Sequence, residues 1–180
     1  MTLLNIITRS LVELGRTTDE QSISAWREKL TIFANDGIDD LAEHIDARRT
    51  DKVEAENGVF LLSKLPRSCL KIVSVKKNGS DIEFTLAANS KEVQVDEEGE
   101  IEVEYRFSPK ELQNDTDVPD IPEHLHKLVV SYCVYREHMT ADPTMQRRSD
   151  AFYRLYEEGK RKARKNRGET DAFALINTGW

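Results

Sequence analysis

Two cysteines, five prolines and eight glycines in 180 residues leave little material for several familiar kinds of protein. Cys69 and Cys133 stand far apart, each inside an apolar segment, which fits two buried thiols in a reducing compartment better than a disulfide framework. The glycines are scattered at turn and cap positions, so no phosphate-cradling loop is present. No apolar run approaches the roughly 20 residues that a membrane-spanning helix needs. Asn5, Thr8 and Arg9 interrupt the first apolar stretch and no basic region precedes it, unlike a secretory leader. No serine or cysteine stands in a nucleophile elbow, and Cys133 and His138 are poorly spaced for a pair on one helix face. His124 and His126 would diverge by about 200° on a helix and cannot face one ion together. The sequence therefore offers no catalytic residues, no metal ligands and no cofactor motif, and reads as something other than an enzyme.

Charge is plentiful but unevenly placed. From Pro143 to Gly168 nine Lys/Arg stand against three acidic residues, a net of +6 within a total of −7, so the rest carries −13. Such a split suits subunits whose opposite-signed surfaces meet, or a basic arm near nucleic acid.

The periodicity of apolar residues changes twice along the chain. Leu3, Ile6, Ile7, Leu11 and Leu14 predict a helix from about Thr2 to Leu14, with Gly15 suited to the left-handed position after it. Thr18 and Gln21 have capping-box spacing for a second helix running to about Arg48, with a stripe of Ile23, Trp26, Leu30, Phe33, Leu41 and Ile45. Gly37 interrupts that stripe and predicts a bend or a close helix contact. From Asp51 the period becomes that of strands. Asn57-Gly58 predicts a tight turn between 52–55 and 59–62, and Asn78-Gly79 a second between Cys69–Lys77 and Asp81–Leu86. A short strand over Glu92–Val95 precedes the clearest one, Glu100–Phe107. There Ile101, Val103, Tyr105 and Phe107 point one way, and Glu100, Glu102, Glu104 and Arg106 the other, as in an antiparallel sheet with one wet, acidic face.

After a polar connector, Pro122 suits the first turn of a third helix whose expected buried face is Leu125, Leu128, Val129, Tyr132, Tyr135 and Met139. Asp142-Pro143 predicts the start of a fourth, with Met145, Phe152, Leu155 and Tyr156 packing back as an antiparallel partner. The expected fold is α+β. Residues 1–50 and 121–168 form a bundle of about four helices, 51–108 an inserted small antiparallel β module, 109–120 a connector and 169–180 an extended C-terminal tail.

Two segments invite contact with partners. Lys160, Arg161, Lys162, Arg164, Lys165 and Arg167 could meet phosphates or an acidic protein neighbour. Phe173, Leu175, Ile176 and Trp180 would be costly to leave in water and are typical interface anchors. With no groove-reading motif, sequence-specific DNA recognition has no support. A small nucleic-acid-associated module working through the basic helix stays open as an alternative.

Leu65-Pro66, Ile72, Val75 and Asn78-Gly79 in the β module, with Ile121-Pro122-Glu123, Tyr132, Asp142, Tyr153 and Tyr156 in the closing helix pair, carry a resemblance. Over roughly residues 1–166 the layout resembles that of tailed-bacteriophage head-to-tail connector proteins, also called head completion or adaptor proteins. That resemblance implies a structural virion protein that acts in a ring of roughly twelve subunits beneath the portal. Such a ring extends the DNA channel, lets double-stranded DNA pass without holding it, and offers a platform to a tail or stopper protein. It also implies location at the head–tail interface of the virion, with the host cytoplasm as the place of assembly. The expected partners are the portal protein, neighbouring copies and that tail or stopper protein, with no membrane and no cofactor. Carried onto this chain, Lys160–Arg167 and Asp171–Trp180 become the portal-docking arm, and the β module faces a neighbouring subunit or the tail. Because DNA must slide past without sticking, Glu100, Glu102 and Glu104 are a candidate acidic lining of the channel.

Overall fold

The computed structural model describes residues 1–89, 91–139 and 148–163. Asp142, Pro143 and Met145 of the expected fourth-helix start lie outside the described residues, as do Arg164, Lys165, Arg167, Phe173, Leu175, Ile176 and Trp180. The chain is α+β and divides into two compact units, Met1–Ile45 with Lys110 onward, and Asp46–Pro109.

In the helical unit, α1 spans Leu3–Glu13. Thr2 caps it by accepting from the Asn5 amide, and Gly15 follows at φ +68°. Helix α2 spans Glu20–His44. Its cap is Asp19, which accepts from the Ser22 amide at 2.8 Å, and not the expected Thr18 one residue earlier. A carboxylate at the cap also meets the positive end of the helix dipole, which a threonine hydroxyl does not. The helix stops at His44, short of Arg48, because Asp46 turns to φ +52° and the next residues enter a strand.

A short 3₁₀ turn over Glu123–Leu125 leads into α3, His126–Met139. Residues 148–163 form the last helix, α4. Paired contacts run in opposite senses along α3 and α4. Leu128 abuts Gly159, Tyr132 packs against Tyr156, Tyr135 against Tyr153 and His138 against Phe152, so the two helices are antiparallel. The buried face of α3 is rotated from the expected one, to His126, Val129, Val130, Cys133, Val134 and His138. Met139 is exposed, and Leu128, Tyr132 and Tyr135 are only half-buried. The reason is crowding: α3 packs against α1 and α2 at once, and the narrow Val and Cys side chains fit inside while the tyrosines reach the rim.

The connector is held to the helices by hydrogen bonds to its backbone. Leu3 N donates to Asp117 O at 2.9 Å, and Asn35 both accepts from Leu112 N at 2.9 Å and donates to Leu112 O at 3.2 Å. Leu112 and Ile121 are buried at its two ends.

The β module contains β1 (Arg48–Ala55), β2 (Val59–Leu61), β3 (Cys69–Lys77), β4 (Ser80–Ile82), β5 (Phe84–Leu86), β6 (Glu92–Val95) and β7 (Gly99–Phe107). One sheet has the order β1-β7-β3-β4 and the other β2-β6-β5, all pairs antiparallel. Both turns form as the sequence predicts: Asn57 and Gly58 at φ +52° and +71°, Asn78 and Gly79 at +51° and +83°. At Gly58 a Cβ would stand 2.7 Å from the Val95 carbonyl oxygen, so only glycine fits. The expected single strand over Asp81–Leu86 breaks at Glu83 instead, β4 staying in one sheet and β5 joining the other. Both sheets contribute to one core, in which Phe60 and Val93 meet Val75, Ile101, Val103 and Tyr105.

Candidate interaction surface

The closing seam of the helical unit is built around two glycines. At Gly37 on α2 an added Cβ would lie 2.9 Å from the Tyr132 ring, so glycine lets α3 approach closely, which is the contact the sequence pointed to. At Gly159 on α4 an added Cβ would meet the Leu128 methyl at 2.3 Å. Between these close approaches the tyrosines interlock. Tyr132 and Tyr156 have ring centroids 5.0 Å apart, and Tyr135 and Tyr153 4.9 Å, within the range of favourable aromatic pairs.

Charges bind the seam. The Tyr156 hydroxyl donates to the Asp40 carboxylate, and Lys160 Nζ lies 2.7 Å from Asp40 and 3.6 Å from Glu157. Burial, then the hydrogen bond and charge of Asp40, raise the Tyr156 pKa far above that of a free phenol. Burial pulls Lys160 down, but Asp40 and Glu157 more than offset it and its pKa ends above the ordinary lysine value. On the other side of Tyr132, Arg136 Nη1 donates to that tyrosine's hydroxyl at 2.9 Å and lies 3.3 Å from Asp36. Asp36 and Asp40 of α2 are thus engaged in holding helices together. Asp39 remains exposed, its pKa raised by partial burial and by the charges of Asp36 and Glu111.

Of the docking residues expected from sequence, Lys160 is therefore part of the fold, with its side chain only 12% exposed. Lys162 is exposed and pairs with Glu158 one turn back at 2.8 Å, and Arg161 is exposed beside it. The Asp40–Tyr156–Lys160 contact is the element that sequence reasoning missed. Its residues lie about 120 positions apart, and only their shared polar character in apolar stripes hinted at it.

Glu100, Glu102 and Glu104 do share one face of β7, with Ile101, Val103, Tyr105 and Phe107 buried on the other. The face as a whole is not acidic, however. The neighbouring strands place Arg48 and Lys52 on one side and Lys71 and Lys76 on the other. Lys52 Nζ lies 2.7 Å from Glu100 and Arg48 3.5 Å from Glu104, so cations and carboxylates share the face. A single strand read alone cannot show what its neighbours contribute.

Among the described residues no three His, Cys, Asp or Glu side chains gather in a way that could hold a metal ion. Cys133 is fully buried and its thiol is pushed up to about 12 by that burial, which leaves it without nucleophilic character near neutrality. From inside the core His126 donates its Nε2–H to Ile121 O at 3.0 Å. No described helix is long and apolar enough to cross a membrane. What the surface offers is contact: exposed Tyr153, Met139, Val12 and Leu155 on the helical unit, and Leu61, Leu70 and Leu86 on the module.

The family model for SU10 adaptor proteins matches residues 84–176, more than half of the chain, taking in β5 to β7, the connector, α3 and α4. No curated protein matches the chain. On the strength of that match the chain belongs to the SU10 adaptor proteins, a family of phage head–tail adaptors.

Proposed function

We propose that this adaptor assembles into a ring, of on the order of twelve copies, beneath the portal, where it joins head to tail and extends the DNA channel. Phage adaptors are structural proteins of the virion, and the ring gives that role a geometry. Neighbouring copies, the portal and a tail or stopper protein are its partners, and double-stranded DNA passes through. The observation that carries the docking role is the clamp at Asp40. Helix α4 is fastened to α2 as far as Lys160, while Arg161 and Lys162 beyond it face solvent. A base of this kind presents the following basic and apolar residues, Arg164, Lys165, Arg167, Phe173, Leu175, Ile176 and Trp180, as an arm for the portal. The sheet face with Glu100, Glu102 and Glu104 suits the channel side, since its paired charges give phosphates little net attraction.

The test is association with the portal by full-length chain and by the triple reversal Arg161→Glu, Lys162→Glu, Arg164→Glu. Lost binding with an unchanged melting temperature supports the arm; unchanged binding removes it. Electron-microscopy class averages of the portal mixture then show either a ring on the portal or single subunits, and the latter outcome ends the ring assignment.

A further inference from the structure

On the helical unit, α1, α3 and α4 enclose a groove of about 550 Å³, a size usual for ligand-sized clefts. Its apolar surface comes from Val12, Phe152 and Leu155, of which Val12 is 60% and Leu155 56% exposed. Leaving such surface wet costs about 25 cal/mol per Å². Arg9 and Lys127 stand at the same groove with Glu13, and neither cation has an ion pair among the described residues.

The chain itself contains a segment of matching chemistry. Residues 169–180 hold Glu169 and Asp171, no Lys or Arg, and then Phe173, Leu175, Ile176 and Trp180. Anionic residues followed by apolar ones complement two cations that have no ion pair among the described residues, beside an apolar cleft. The tether also fits. Leu155 lies eight helical residues before the end of α4 at 163, about 12 Å back along the axis. The nine residues 164–172 can reach up to about 30 Å when extended, so the segment can return to the wall it left. A tether this short sets an effective concentration in the millimolar range, which favours a chain's own groove over that of a second copy at ordinary protein concentrations.

We infer that in the unassembled subunit residues 169–180 occupy this groove of their own chain, with Glu169 and Asp171 toward Arg9 and Lys127, and Phe173, Leu175 and Ile176 toward Val12, Phe152 and Leu155. This deepens the docking-arm reading and rests on it for its consequence, that the arm is withheld from partners until the portal competes for it. The occupancy itself is measured without the portal, so the two can fail separately.

A full-length chain carrying Val12→Cys and Ile176→Cys, oxidised at low micromolar concentration, is expected to form a disulfide within one chain. Peptide mapping identifies it, and the Ile176→Cys single variant serves as control for Cys69 and Cys133. A disulfide formed only between chains would overturn the inference in favour of a second copy as occupant, and no Val12–Ile176 disulfide would overturn it outright. A second measurement avoids cysteine. In a Trp26→Phe background the one remaining tryptophan, Trp180, should become at least twofold more accessible to acrylamide when exposed Val12 is changed to Glu. Equal quenching with and without Val12→Glu would also defeat the proposal.

Discussion

Tyr156 and Lys160 share one acceptor: the tyrosine hydroxyl donates to the Asp40 carboxylate, and the lysine ammonium lies 2.7 Å from it. One carboxylate on α2 therefore fastens two successive turns of α4. Removing the hydroxyl by Tyr156→Phe leaves Asp40 only the lysine, and should cost about 1.5–3 kcal/mol, the range for hydrogen bonds to charged groups. Urea unfolding of Tyr156→Phe, Asp40→Asn and the double variant checks this. The double should be less destabilised than the two singles combined, and simple additivity would show that the contact carries no energy.

Gly37 is the second point of expected sensitivity. Alanine would gain up to about 1 kcal/mol in helix propensity. Its Cβ would nevertheless meet three atoms of Tyr132 between 2.9 and 3.2 Å, and that ring already packs against Tyr156, 5.0 Å away between centroids. Gly37→Ala should be net destabilising by about 1–3 kcal/mol. Gly159→Ala meets only the flexible end of Leu128 and should cost less, as thermal denaturation of the pair will show.

Asn35 makes a third prediction. Its amide satisfies both the N–H and the C=O of buried Leu112, fixing the connector to α2. Asn35→Ala orphans both groups and should cost about 1–3 kcal/mol. Hydrogen exchange at the Leu112 amide should accelerate more than at the core of α3. Equal acceleration everywhere would place the loss elsewhere.

A pH dependence follows from two histidines. Burial lowers the pKa of His126 and, with the Arg148 charge, that of His138 below the usual 6.5. The unfolded chain then takes up protons first, so stability is complete above about 6.5 and falls as pH drops through the folded-state values. The melting temperature should be lower at pH 5.5 than at 7.5, and His138→Gln should shrink that difference. An unaltered difference would remove His138 from the account.

Local features of this chain were legible in its sequence, and those that depend on distant neighbours were not. Gly15, Asn57-Gly58 and Asn78-Gly79 act through their own backbone conformation, and each appears where it was expected. The alternation in β7 fixes its buried face for the same reason. The pairing of β1 with β7 joins Arg48 to Arg106, a relationship no local pattern encodes, and with it came the cations that neutralise Glu100 and Glu104. The rotation of α3 had a similar origin: its inner face is chosen by which helices surround it, so Cys133 went in and Met139 came out. The basic run read as uniformly available, yet Lys160 and Lys162 already have partners.

The interruption of the helical unit by sixty-odd residues of sheet also orders events in synthesis. Helices α1 and α2 leave the ribosome long before α3 exists, with Leu30 awaiting Cys133 of α3, about a hundred residues later. Closing so long a loop is slow and entropically unfavourable. When Arg48 pairs with Arg106, the detour collapses to a short span between neighbouring strands, and the late helices are delivered close to the early ones. With β1 and β7 paired, the sheet module shortens the loop that joins the two halves of the bundle.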